Sequence, residues 1–199
     1  SQVTMLIGSM TSNSSLNLPK SAQEELAKAN YNLTRLMDLV SELLDLEDLE
    51  TLDRDIERLP VSAMEVARQA AQTLDALAQS RSIRIDTPKS DATITGDTRR
   101  LTQALINLLS NSIKFSPRHS TGSLSVEASE NEVTLSVSDQ GPGIAEEDRK
   151  LLFEKFSQTG TANKSKIKGS GLGLALVRTI AEAHGGKAGF TPTASGGRC

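Results

Sequence analysis

With 199 residues the chain is long enough for one substantial core and a smaller element, and at a net charge of −3 it lacks the basic excess of a nucleic-acid binder. Aromatics make up only 3%, with no Trp and one Tyr, which leaves little for stacking on bases. Apolar runs such as Met5–Ile7 and Ala104–Ile106 fall far short of a bilayer span, no secretory signal opens the sequence, and the single cysteine, Cys199, allows no internal disulfide. A cytoplasmic fragment in a reducing compartment is expected, with no nucleic-acid partner and no membrane contact of its own, although a longer parent could be membrane-anchored.

Val3–Met10 is a short apolar stretch, followed by a Ser/Asn/Thr-rich break over 11–17 and by Pro19, which suits a first helical turn. From Ser21 to about Asp53, Leu26, Leu33, Leu36, Val40, Leu43 and Leu44 step by three and four. That periodicity predicts a long amphipathic helix with a seam narrow enough for a coiled coil or bundle. The seam is covered either by a partner helix or by the helix's own domain; a self-sufficient core in the remaining chain favours the partner.

Composition shifts at 54–60, which reads as a hinge or a first edge strand. Ser62 can cap a helix running to about Ser80, with Glu65 completing a capping box. Ile83–Ile85 alternates like a short strand, Ala92–Thr95 is a further candidate, and Asp97 or Thr98 caps a central helix to about Phe115. Leu124–Ala128 and Val133–Val137 each place apolar side chains on one face, as a sheet with one covered face requires. The polar 157–170 stretch reads as a mobile loop. A last helix spans roughly Leu172–His184, ended by Gly185-Gly186, and a final strand begins near Lys187. The fold class is α+β, a sandwich of a mixed sheet with helices on one face, preceded by the long helical segment.

On the central helix, Asn107, Asn111 and Lys114 fall within an arc of about 60°, opposite Leu101, Leu105, Leu108 and Leu109. An Asn carbonyl can ligate Mg²⁺ without adding charge that repels a triphosphate, and Lys114 can neutralise phosphate oxygens. A solvated polar face would show the same pattern. Asp139 ends an apolar strand and enters Gly141-Pro142-Gly143-Ile144. A carboxylate held there can accept a hydrogen bond from an exocyclic amine such as adenine's, the glycines allowing close approach, although ordinary turns look alike. Gly169, Gly171 and Gly173 precede an apolar helix, so their N–H groups can face phosphate. No Gly-Lys-Ser/Thr follows them, and Leu174 stands where a dinucleotide fingerprint has its third glycine. Lys164, Lys166 and Lys168 lie just upstream, and Phe153 and Phe156, spaced i, i+3, are expected to pack the base of the loop.

In this order the four elements resemble the N, G1, F and G2 boxes of the GHKL (Bergerat-fold) ATP-binding family, in wording nearest to the sensor histidine kinases of two-component systems. Asn107-x-x-x-Asn111-x-x-Lys114-Phe115 is similar to the N box and Asp139-x-Gly141-x-Gly143-Ile144 to the G1 box. Phe153-x-x-Phe156 resembles the F box, and Gly169-x-Gly171-Leu172-Gly173-Leu174, with Lys168 before it, the G2 box. Gly96-Asp97 and Arg100-Leu101-x-Gln103 resemble the approach to the N box. The resemblance implies ATP and Mg²⁺ as cofactors, Asn111 as the metal ligand, Asn107 and Lys114 acting at the phosphates, Asp139 reading adenine, and an ATP lid over roughly 145–170.

It further implies a partial dimerisation and histidine-phosphotransfer segment over 1–53, a catalytic domain over 54–199, a homodimer through the bundle, and a response-regulator receiver domain as partner. The family's hydrolases carry a Glu four residues before the metal-binding Asn; here that position is Asn107, and an amide cannot take a proton from water. Transfer of the γ-phosphoryl to a bundle histidine, and onward to an aspartate, is therefore the expected reaction of a histidine kinase. Neither His119 nor His184 sits in a His-x-x-Arg-x-Pro type box, so the acceptor is expected upstream of Ser1 or lost from the parent. A nucleotide-binding signalling module without kinase activity is the alternative, and an anti-sigma type serine kinase a more distant one. Gly196–Cys199 resembles the entry to the family's closing strand.

Overall fold

The computed structural model describes residues 56–157, 171–193 and 196–199, together with Ala22, Glu25, Lys28, Ala29 and Asn32, which are helical. The remainder of the helix expected over Ser21–Asp53 lies outside the described residues. The chain divides into two compact units, Ser1–Leu44 and Asp45–Cys199, and the elements below all belong to the second.

Strand β1 (Leu59–Ser62) leads directly into helix α1 (Ala63–Ser80). Ser62 Oγ caps it by accepting from Glu65 N–H at 3.1 Å. In place of the reciprocal bond of a capping box, Glu65 Oε1 accepts from Gln69 Nε2, and Asp91 reaches in from across the fold. Its Oδ1 accepts from Met64 N–H at 2.9 Å and its Oδ2 from Ser62 Oγ at 2.8 Å. These bonds, the Met64 N–H foremost, hold the Asp91 carboxyl below its ordinary 3.8. The buried stripe of α1 is made of Ala63, Val66, Ala67, Ala70, Ala71 and Ala78. Side chains this small let the neighbouring helix approach closely.

That neighbour is α2 (Thr98–Phe115), the central element of the fold, entered from β2 (Arg84–Asp86) and β3 (Thr93–Gly96). Asp97 Oδ1 caps it by accepting from Arg100 N–H at 3.0 Å. Leu101, Leu105, Leu108, Leu109 and Ile113 are buried, as their spacing predicts. They pack with Val66, Ala67 and Ala70 of α1, with Leu124 and Val137 of the sheet, and with Leu176, Val177 and Ile180 of the last helix.

β4 (Thr121–Ala128), β5 (Val133–Ser138), a four-residue helix α3 (Glu146–Arg149), α4 (Gly173–Ala183), β6 (Thr191–Thr193) and β7 (Gly196–Arg198) complete the unit. β1 and β3 form a small antiparallel sheet, and the main sheet runs β2-β4-β5-β7-β6. β2 lies parallel to β4 and the other neighbours are antiparallel, so the sheet is mixed. Along β4, Gly122, Leu124 and Val126 are buried while Thr121, Ser123 and Ser125 are less so, the alternation of a sheet covered on one face. The α+β sandwich is as expected.

The last strand differs from expectation. Gly185, at φ 78°, and Gly186 do end α4, but 187–190 form no ladder. Phe190 instead packs over Gly197, where a Cβ would lie 2.5 Å from its Cε2, and pairing starts only at Thr191. The chain then returns through β7, whose Gly197 carbonyl accepts from Asp139 N–H at 3.0 Å. Gly196–Arg198 is thus a strand between β5 and β6, set beside the exit of β5.

Candidate functional site

Asn107, Asn111, Lys114 and Phe115 are all half-buried along one flank of α2, while the leucines opposite are in the core. From Asn107 to Phe115 the helix rises about 12 Å. A glycine turn closes on each end of this strip. At the C-terminal end, Gly141 lies against the Phe115 carbonyl, and a Cβ there would sit 3.3 Å from that oxygen. At the other, a Cβ on Gly173 would sit 2.7 Å from Asn107 Oδ1. The Asn107 amide nitrogen donates to the Gln103 carbonyl at 3.1 Å, so its oxygen is the atom turned towards Gly173. The structure therefore brings Gly141 and Gly173, one from each glycine turn, to one strip of α2, which spacing alone left open.

Asp139 leaves β5 half-buried, and its Oδ1 accepts from Gly141 N–H at 2.8 Å. Burial pushes its carboxyl above the ordinary 3.8, while the Gly141 and Gly197 N–H groups pull it back. Two residues unremarked in the sequence fix this turn. Gln140 Oε1 accepts from Thr121 N–H at 3.1 Å, and Arg149 Nε donates to the Ile144 carbonyl at 3.2 Å. The Arg149 guanidinium also lies 5.9 Å from the centre of the Phe190 ring, tying the G1 turn to the chain entering β6. Gly143 takes φ 71°, a conformation L side chains rarely adopt.

The F box departs from expectation. Phe153 is half-buried, but Phe156 is 64% exposed and does not pack the loop base. Residues 150–156 turn instead of continuing as a helix, so an i, i+3 pair shares no face. Phe156 adopts φ 63°, and its N–H donates to the Gly171 carbonyl at 3.1 Å. Gly171, at φ 78°, packs so closely that a Cβ would lie 2.5 Å from the Ser157 carbonyl oxygen. The F and G2 boxes thus meet backbone to backbone. Leu172 is buried behind the turn, Leu174 is half-buried, and the N-cap of α4 is Leu172, whose apolar side chain supplies no capping bond of its own. The first N–H groups of α4 are what an anion at this end would meet. Lys164, Lys166, Lys168 and Gly169 lie outside the described residues.

Two further groups border the site. Arg81 Nη1 donates to the Lys114 carbonyl at 3.1 Å, holding the end of α2. Cys199 is hydrogen-bonded through its backbone to Val137, and burial together with the Asp139 charge pushes its thiol from 9.0 to about 12. His119, exposed at φ 64°, is in a turn where its N–H donates to the Ser82 carbonyl at 2.9 Å.

Residues 96–199 match the family model for histidine kinase-, DNA gyrase B- and HSP90-like ATPases. The chain is 35% identical over 169 residues to the circadian input-output histidine kinase CikA of Synechococcus elongatus, covering 82% of this chain and 22% of that protein. It is 36% identical over 172 residues to the sensor-like histidine kinase SenX3 of Mycobacterium tuberculosis, covering 83% of this chain and 40% of that one. Among solved structures, full-length ShkA in complex with AMPPNP matches 99% of this chain and 41% of its own at 28% identity, with a TM-score of 0.73. The chain thus spans less than half the length of these relatives. The matched residues run from the entry to α2, through both glycine turns, to the end of the main sheet, and the chain belongs to the histidine kinase-, DNA gyrase B- and HSP90-like ATPase family, its relatives there being sensor histidine kinases.

Proposed function

We propose that the chain is the ATP-binding catalytic core of a two-component sensor histidine kinase, which hands the γ-phosphoryl of ATP to a histidine of its helical bundle and onward to a response-regulator aspartate. The contact between Asn107 and Gly173 carries this reading. It sets an amide beside the phosphate-side glycine turn, at the position where a hydrolase of the family needs a proton-accepting Glu. Positioning and charge neutralisation then remain, and phosphoryl transfer needs little else. Asp139 would accept from the adenine amine, with Gly141, Gly143, Ile144 and Phe115 along the base. Lys114 would meet phosphate oxygens, and the α4 N-terminus, with Gly169 and Lys168, the far end of the triphosphate.

The α2 strip offers neutral amide oxygens, which fits a hard cation that brings phosphate oxygens as its other ligands. Asn111 would hold Mg²⁺, which when bound supplies neutralisation of the phosphate charge. In this reading residues 1–53 belong to the dimerisation and phosphotransfer helices and 54–199 to the catalytic domain, and the dimer docks a receiver domain.

The test is labelled ATP added to this chain extended upstream through the histidine-bearing helix, beside its Asn111→Ala variant. Acid-labile label on the protein, lost in the variant, is the expected result. Nucleotide binding with no transfer would replace the kinase by a non-catalytic binding module. The 199-residue chain alone should bind ATP and take no label.

A further inference from the structure

His184 closes α4 at the end opposite the glycine turn, and its ring is engaged on both nitrogens. Nδ1 lies 2.7 Å from the Ile180 carbonyl oxygen, and Nε2 lies 3.0 Å from Asp97 N. A carbonyl can only accept and a backbone N–H only donate, so Nδ1 bears the proton and Nε2 offers its lone pair. The ring is the neutral Nδ1–H tautomer. It fits because residue 96 is glycine: a Cβ there would lie 2.6 Å from Cδ2 and 2.9 Å from Nε2. Asp97 is also the residue that caps α2. One imidazole therefore joins the last turn of α4 to the first turn of α2.

α2 and α4 therefore meet at two places, through the His184–Asp97 hydrogen bond at one and the close approach of Gly173 to Asn107 at the other. Asp97 and Asn107 are ten positions apart along α2, about 15 Å, and His184 and Gly173 are eleven apart along α4, about 16 Å. Near-equal spacings, with the order reversed, mean that the helices run antiparallel with one clasp at each end. Between the clasps lie Leu101, Ala104 and Leu105, in one core with Leu176, Val177 and Ile180. Such an apolar seam is non-directional and tolerates sliding, whereas hydrogen bonds of fixed geometry do not. A slide of one residue is about 1.5 Å, enough to take Gly173 off Asn107.

We propose that His184 is a positioning residue for the nucleotide's phosphates. Its neutral ring, bonded to Asp97 and Ile180, sets the axial register of α4 on α2 and so holds Gly173 and the α4 N-terminus against Asn107. The proposal rests on the ATP-site reading above. It also separates the two ends of the ligand: a shift of α4 disturbs the phosphate end and leaves Asp139, just after β5, in place.

The experiment compares wild type, His184→Phe and His184→Gln in the 199-residue chain, each confirmed folded by circular dichroism, for binding of ATP and of AMP by calorimetry. Phe keeps the ring volume and loses both ring bonds; Gln keeps an acceptor for Asp97 N–H. His184→Phe should weaken ATP roughly tenfold with AMP little changed, and His184→Gln should recover most of the loss. The ¹⁵N spectrum of the wild-type ring should show protonated Nδ1 and bare Nε2, and the Asp97 amide resonance should move in Phe and less in Gln. A Phe variant that binds ATP as wild type does, or that weakens ATP and AMP alike, overturns the proposal. So does a protonated Nε2, which can be read even if the Phe variant does not fold. Wild type that fails to bind ATP at all overturns the nucleotide reading, and this proposal with it.

Discussion

Burial raises the free energy of a carboxylate, and half-buried Asp139 is only partly compensated by the N–H groups of Gly141 and Gly197. Its folded pKa stands above the unfolded one, so in the window between them the native state holds a proton that the unfolded chain has released. Stability therefore falls as pH rises through that window, and at neutral pH the ionised side chain opposes folding. Asp139→Asn should raise the melting temperature at neutral pH, the gain shrinking on acidification. The same change should weaken ATP by about 2 kcal/mol, roughly thirtyfold in Kd, because an amide accepts less strongly than a carboxylate from adenine's amine. On acidification, wild type should lose ATP affinity at a higher pH than an ordinary carboxylate would, and the Asn variant should not. A thermal-shift series and calorimetry at matched pH values test both.

At the scale of elements, two glycines of the second turn differ in what a methyl group would do. Gly171→Ala puts a Cβ 2.5 Å from the Ser157 carbonyl at φ 78°, against backbone that cannot yield. It should cost about 1–3 kcal/mol of stability and part the F box from the G2 box, read as a lower melting temperature and greater protease cleavage after Phe156. Gly173→Ala meets the Asn107 side chain first and gains helix propensity of about 1 kcal/mol. Stability should hold while ATP affinity falls about tenfold or more by calorimetry, as Asn107 is pushed aside. Helices α2 and α4 were legible beforehand because both carry clean 3.6-residue periods, α2 with Asp97 before it and α4 with Gly185-Gly186 after it. The grip of Gly171 on Phe156 was not: a left-handed phenylalanine is decided by a carbonyl fifteen positions away, and no local pattern reports it. The i, i+3 phenylalanines looked like a packed pair only on the assumption of a helix that does not form there. His184 was legible as a residue but not as a clasp, since its partner Asp97 lies 87 positions away.

At the scale of the whole molecule, α2 is the hub on which α1, α4 and the sheet converge, and Leu109 and Ile113 are fully buried at its centre. Leu109→Ala should lower stability by about 2–5 kcal/mol in a denaturant titration, far more than any surface change. The one-face alternation of β4 and β5 made this layered plan readable, but the order of the last two strands was not, because Phe190 turning onto Gly197 postpones the pairing. That hairpin carries the chain's single thiol. With its pKa pushed up to about 12, the thiol stays protonated at pH 8, so a disulfide reagent must wait for β7 to peel from β5. Cys199 is in effect a clock for that peeling, started by adding the reagent and read as absorbance. Because β7 also borders Asp139, a nucleotide seated on the carboxylate should slow the clock, and pH rising above 9.0 should quicken it as the opened thiol ionises first.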